Sequence, residues 1–373
     1  MCHILNLMPR MRSTCAVLIA SVIGGCQANP PSAPPSSIGP VATVRPTATP
    51  KPTIAGPAVT LTLDTSGPIV GSGAGIAGHP YASPAAAARD AGGGYVLFIV
   101  WSSDEPGSEV VTVARSQDGR TWRVGKTAIL SAPGKVPPGA VRHVPTAAVQ
   151  LQDGTWQLYG WATLPGDPQS EESWRASAPT PEGPWAIDAK QILLPGAPGA
   201  WDSQVAAVGA VQRSSSGYAL WYEGAGPGSG VRGDIGYATS RDGLVWQKVD
   251  DPTTTSVALD ASDPVIHRGV CGPGTSLALY QPQVELAPGG YIGAVGAYGI
   301  SDDFAVFGLT SIDGVTWRCG STAPILRPSD IPGSNGLHAL ASMPLDDGSV
   351  ALLIESLGDK HSDIWLATMS VAH

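Results

Sequence analysis

The sequence predicts an all-β domain made of one four-stranded unit repeated around an axis, and three observations carry that prediction. The first is composition: 47 Gly and 35 Pro with only 14% charged residues suit many short strands joined by tight turns better than amphipathic helices. The second is a phrase, Ser-x-Asp-Gly-x-x-Trp, written at Ser116/Asp118/Trp122, Ser240/Asp242/Trp246 and Ser311/Asp313/Trp317. A degenerate copy, "ASAPTPEGPW", ends at Trp185, so the four Trp are spaced by 63, 61 and 71 residues. The third is that two further apolar segments precede each phrase. Four strands recurring at such a period predict the blades of a β-propeller.

Each element has a local reason. In "DIGYATSRDGLVWQKV" an alternating strand, Ile235 to Thr239, runs into Asp242-Gly243, a strong hairpin signal, and a second strand follows through Val245, Gln247 and Val249. Asp242 is suited to accept backbone N–H groups across the turn, with Trp246 folded over it. The phrase is therefore a hairpin staple rather than a catalytic motif. Upstream of the staples lie "YVLFIVWSS" (95–103), "TWQLYGWAT" (155–163), "YALWYEGAG" (218–226), "YIGAVGAYG" (291–299) and, in the last unit, "VALLIESLG" (350–358). Ahead of each is one more small apolar strand, at 79–88, 143–151, 202–211, 280–286 and 338–345. The count is five blades. The last ends at "DIWLATMSVAH" with no hairpin after it, and the alternating "AVTLTLD" (58–64) is expected to supply its missing outer strand.

The N-terminus reads as processing signal and spacer. Arg10 and Arg12 precede a short apolar run ending in Ile23-Gly24-Gly25-Cys26, which resembles a bacterial lipobox. Residues 1–25 are expected to be a lipoprotein signal peptide and Cys26 the lipidated residue, anchoring the chain to a membrane of the bacterial cell envelope. Residues 26–57, rich in Pro, Ser and Thr, are expected to be a disordered tether, and 58–373 the propeller domain. With Cys2, Cys15 and Cys26 outside the domain, Cys271 and Cys319 remain, and an exported pair is expected to form a disulfide.

The net charge of −9 opposes binding to nucleic acid by charge alone, and a monomer is expected. No P-loop, dinucleotide fingerprint, zinc-type Cys/His spacing or GxSxG elbow is present.

Five blades, the outer hairpin "GYATSRDGLVWQK" and the lead-in "WDSQVAAVGAVQRSSSGYALWYEGAG" (201–226) resemble the five-bladed glycoside hydrolases, families 43, 32 and their relatives, over roughly residues 75–370. The resemblance implies carboxyl groups facing a central funnel, one acting as acid and one as base or nucleophile. Matched to the family 43 pattern, Asp202 stands at the third-blade aspartate. His79 falls at the first-blade position, and Tyr280-Gln281-Pro282 at that of the fourth. Glu223 and Glu355, near the inner ends of second strands, are candidate replacement carboxylates beside Asp202. His79, His143, Trp201, Tyr280, Gln281 and His338 are the candidate sugar-binding residues, with His79, His143, Asp202, Gln281 and His338 expected at equivalent strand starts. No cofactor is expected; a metal in the funnel is compatible with these residues but not required. Two functions stay open: a glycosidase acting on an extracellular glycan, and a sugar-binding or envelope-assembly propeller without turnover.

Overall fold

The computed structural model describes residues 56–371 except 106, 132–141, 164–170, 188–190, 228–232 and 300–303. The expected signal, Cys26 and most of the tether lie outside the described residues. Those described form strands, turns and three short 3-10 turns, with no α-helix among them.

The strands group into five antiparallel meanders. The inner strands are Tyr81–Arg89, Arg142–Gln150, Val205–Ser214, Ala278–Ala287 and Gly336–Pro344. Each pairs with a second strand, respectively Tyr95–Ser102, Trp156–Thr163, Gly217–Ala225, Gly290–Tyr298 and Val350–Leu357. Each second strand pairs in turn with a third. Every inner strand contacts the inner strands of the units before and after it, and the fifth contacts the first, so the inner strands close a ring.

The apolar runs of the second strands follow from this arrangement. Successive side chains leave opposite faces of a strand, and here both faces are covered by neighbouring units. Phe98 joins Leu158 and Trp174 between units one and two, while the adjacent Leu97 joins Leu353 and Leu366 between units five and one. Tyr159 meets Leu220 and Tyr222; Trp221 meets Phe307 and Trp317; Ile292 meets Leu352 and Trp365. Each of the five interfaces between units thus carries its own core cluster.

The hairpin staples form as the phrase predicts. Asp118 accepts the N–H groups of Arg120 and Thr121 at 2.8 and 2.7 Å, and Trp122 Nε1 donates to Gly119 O at 3.2 Å. Those N–H groups of Thr121 and Arg120 hold the Asp118 carboxyl well below the usual carboxylate range. The strand beyond the hairpin is shorter than expected. It covers only Gln247–Lys248 in unit three, so Val245 sits in the turn and is exposed.

Val59–Leu63 pairs antiparallel with the last strand, Ser362–Val371, from Val59↔Val371 to Leu63↔Ala367. The missing outer strand therefore comes from the other end of the chain. Cys271 and Cys319 are buried and bonded, with Cα atoms 5.5 Å apart and a sequence separation of 48. Closing a loop of that length stabilises a fold by about 3–4 kcal/mol in the chain-entropy account. Cys271→Ser is expected to lower the denaturation free energy by about 3 kcal/mol, a loss that reducing agent reproduces in the parent protein. Two titratable thiols in the native protein would contradict the pairing.

Candidate functional site

Every inner strand breaks register near its start: between Pro84 and Ala86, Pro145 and Ala147, Val208 and Ala210, Tyr280 and Gln283, and Leu337 and Leu340. Such bulges re-aim side chains and end regular pairing. Gln281 and His338 both lie inside one. Gln281 is the single non-glycine residue with positive φ among those described, at 47°. That conformation is costly for a side chain bearing a Cβ and needs support from its surroundings.

The support is a hydrogen-bonded chain across three units. Glu223 Oε1, on the second strand of unit three, accepts the Gln281 N–H of unit four at 2.8 Å. Gln281 Oε1 accepts the Leu340 N–H of unit five at 2.7 Å. One residue before Leu340, the Ala339 N–H donates to Glu355 Oε2 at 3.3 Å, and His338 Nδ1 lies 2.9 Å from the same oxygen. Glu223 and Glu355 are buried, whereas the His338 side chain is 42% exposed. Burial pushes the Glu355 carboxyl up, but the His338 charge and hydrogen bond, with hydroxyls from Ser362 and Ser83, bring it below its ordinary value. Four of the nine sequence candidates, Glu223, Gln281, His338 and Glu355, therefore share one network.

The other five are not brought to it. Asp202 is fully buried, ion-paired with Lys248 of the outermost strand, and accepts the Tyr222 hydroxyl at 3.1 Å. Tyr222 and Glu223 are consecutive in one strand, so they leave opposite faces of the sheet. The alignment that placed Asp202 in the funnel fails because Trp201 and Asp202 lie in the turn before the strand and fold onto the face turned toward unit two. Trp201 stacks on Tyr222 at 5.6 Å and donates from Nε1 to Ser262 O at 3.0 Å.

The three histidines do not occupy equivalent positions either. His79 precedes the first inner strand by two residues, and its Nε2 donates to Ser108 O at 3.0 Å. His143 is the second residue of its strand and 1% exposed, with no hydrogen-bond partner at either ring nitrogen among the described residues. Burial pushes its imidazole down to about 4, leaving it neutral near pH 7. Only His338 sits in a bulge. Tyr280 packs edge-on against Tyr298, ring centroids 5.5 Å apart, within the core between units four and five.

Sequence reasoning missed a second polar cluster lower in the ring. Glu285, on the inner strand of unit four, accepts from Gln212 Nε2 at 3.0 Å and from Ser342 Oγ at 2.8 Å, both on neighbouring inner strands. Burial pushes its carboxyl up to about 7, against the lowering effect of Ser342 and Gln212. A lone glutamate in "QVELA" was the available signal. Among the described residues no three of His, Cys, Asp or Glu come together in a group that would hold a metal ion.

Neither protein-family models nor curated proteins match this sequence. Solved structures do match its fold. A complex of BT0996 with RGII is 14% identical, with a TM-score of 0.61 over 83% of this protein and 93% of that one. Zg3597, a family 117 glycoside hydrolase produced by the marine bacterium Zobellia galactanivorans, is 16% identical with a TM-score of 0.58, covering 84% and 90%. An α-L-arabinofuranosidase from Lactobacillus brevis is 15% identical with a TM-score of 0.54, covering 77% and 91%. With its closed ring of inner strands and these likenesses along most of its length, the protein has the β-propeller fold of glycoside hydrolases.

Proposed function

We propose that this protein is a five-bladed propeller of glycoside-hydrolase type, exported and lipid-anchored through Cys26, that binds and cleaves a glycosidic bond of an extracellular glycan. The observation that carries the reading is the network Glu223–Gln281–Leu340 and Ala339–Glu355–His338, assembled from three units around one axis.

Glycoside hydrolysis needs a proton delivered to the leaving oxygen and a base or nucleophile at the anomeric carbon. His338 is the group in this network with both solvent access and a titratable proton. Glu355, kept ionised, orients the ring through Nδ1 and stabilises the imidazolium, leaving Nε2 to exchange the proton with a sugar oxygen or a water. Glu223 is a positioning residue that fixes the strained Gln281 backbone. Asp202, bound to Lys248 on the other face of its sheet, serves the fold of unit three.

The test is a screen of aryl glycosides and polysaccharides with the full-length protein, scoring product release. Glu355→Gln and His338→Ala are expected to lower turnover on the order of 10²–10⁴-fold, with melting temperatures close to that of the parent. Full turnover in both variants would remove the dyad from the mechanism, and binding without product release from the parent would favour the sugar-binding alternative.

A further inference from the structure

A cleft lies away from this network, at the end of the ring where the inner strands finish. It runs between the hairpin of unit three and the face of unit four and encloses about 690 Å³, within the range of sites that hold small organic ligands. Tyr237, Tyr291, Trp246, Arg213, Arg241 and Gln247 line it.

Two features separate this cleft from an ordinary gap between blades. The first is that its rings are braced. Tyr237 and Tyr291 both rest on Trp221, at 5.2 and 5.6 Å between centroids, and Trp221 is fully buried and donates from Nε1 to Gly314 O at 2.8 Å. Rings held in this way lose little conformational freedom when something stacks on them.

The second is a departure of this hairpin from its sister hairpins. In units one and four the residue before the staple tryptophan is a threonine whose hydroxyl caps the turn aspartate: Thr121 Oγ1 to Asp118 at 3.1 Å and Thr316 Oγ1 to Asp313 at 3.0 Å. Unit three has Val245 there, 64% exposed, so Asp242 keeps its backbone N–H donors from Leu244 and Val245 but gains no hydroxyl from that position. Leu286, 55% exposed, stands in the lining of the same cleft. A threonine would satisfy the turn better than an exposed valine does. The substitution makes sense where the surface of the cleft, rather than the turn, sets the requirement.

We propose that this cleft is a second saccharide-binding site, independent of any turnover at the axis. Flat aromatic and aliphatic surfaces suit the C–H faces of a sugar ring, and sugar hydroxyls both donate and accept. Arg213, Arg241 and Gln247 offer donors, and Asp242 and Gln247 acceptors, at the margin of those surfaces. Two arginines against one aspartate also suit a sugar that carries a carboxylate.

The experiment is affinity electrophoresis of the full-length protein through gels containing xylan, mannan, arabinan or polygalacturonate, with four proteins compared. These are the parent, Tyr291→Ala, the surface double variant Arg213→Ala/Arg241→Ala, and His338→Ala. At least one polysaccharide is expected to retard the parent and His338→Ala alike, with affinity reduced tenfold or more in the two cleft variants. Should Tyr291→Ala fail to fold, the double arginine variant decides, since both side chains border an open cleft. Retardation by none of the four, or retardation lost in His338→Ala and kept in the cleft variants, overturns the proposal; the latter would place all binding at the axial network and leave the glycosidase reading untouched.

Discussion

Replacing Glu285 by Gln is expected to abolish a pH-dependent loss of stability that the parent protein shows between about pH 4.5 and 7. The carboxyl of Glu285 is buried among three inner strands, where Gln212 and Ser342 donate to it but no cation among the described residues neutralises it. Its proton is therefore held up to about 7, against 4.5 for an ordinary glutamate. Over that window the folded state binds more protons than the unfolded state, so folding is favoured most below pH 4.5 and the advantage disappears as pH rises through about 7. A displacement of this size corresponds to about 3 kcal/mol. The measurement is urea denaturation of both proteins at intervals from pH 4.5 to 8, plotted as the difference between them. That difference should move by about 3 kcal/mol in favour of Glu285→Gln as pH rises, whatever its starting value. A difference independent of pH would mean that the carboxyl titrates in the folded protein as it does in the unfolded chain.

Deleting Val59–Leu63 is expected to have the largest effect of any change considered. The strand supplies the outer ladder of the last unit and packs Val59, Leu61 and Leu63 against the core between units four and five. Val59 fits against Gly308, where any larger residue would collide with it. Losing three such side chains costs about 4–6 kcal/mol, and in a domain of this size the melting temperature should fall on the order of 10 °C. The deletion also bares the edge of Ser362–Val371, so the variant should self-associate on warming. Thr62→Pro, which removes one donor from the ladder opposite Thr368 and keeps the chain length, should reproduce part of the loss. An unchanged melting temperature in both would show that the pairing carries no stability.

Much of this fold was legible because its strands are buried on both sides and separated by strong turn signals. "YVLFIVW" could only be an interior strand, and Asp-Gly before Trp fixed the hairpins. Even the outer strand borrowed from residues 58–64 followed from counting. The site was legible only in part. Glu223 and Glu355 stand out as strand-end carboxylates, and Gln281 and His338 by their positions near strand starts; all four meet. Asp202 and His143 are misplaced by the same reasoning: Asp202 lies in the turn before its strand and folds onto the face toward unit two, and His143 sits ahead of its strand's bulge rather than in it, and neither placement can be read from periodicity. Asp202 also depends on Lys248, a partner in an outer strand two residues long, too short to leave a pattern. Glu285 was hidden for the opposite reason: a single polar residue in an apolar strand reads as a turn-proximal exception until two neighbouring strands are seen to donate to it.

The ring has a further consequence, in the order of events by which it forms. Its closing contacts join residues at opposite ends of the domain: Ala82 N to Ser362 Oγ across 280 positions, and Thr60 to Ser370 across 310. The first unit can fold against the second as soon as both exist, but its Leu97, Ile99 and Trp101 face stays uncovered until the fifth unit arrives. Closure is therefore expected to come late and slowly, since long-range pairing must overcome the entropy of the whole intervening loop. A chain that ends one unit short is not four-fifths of this protein. It is an open stack with an apolar face bared on its first unit and another on its fourth.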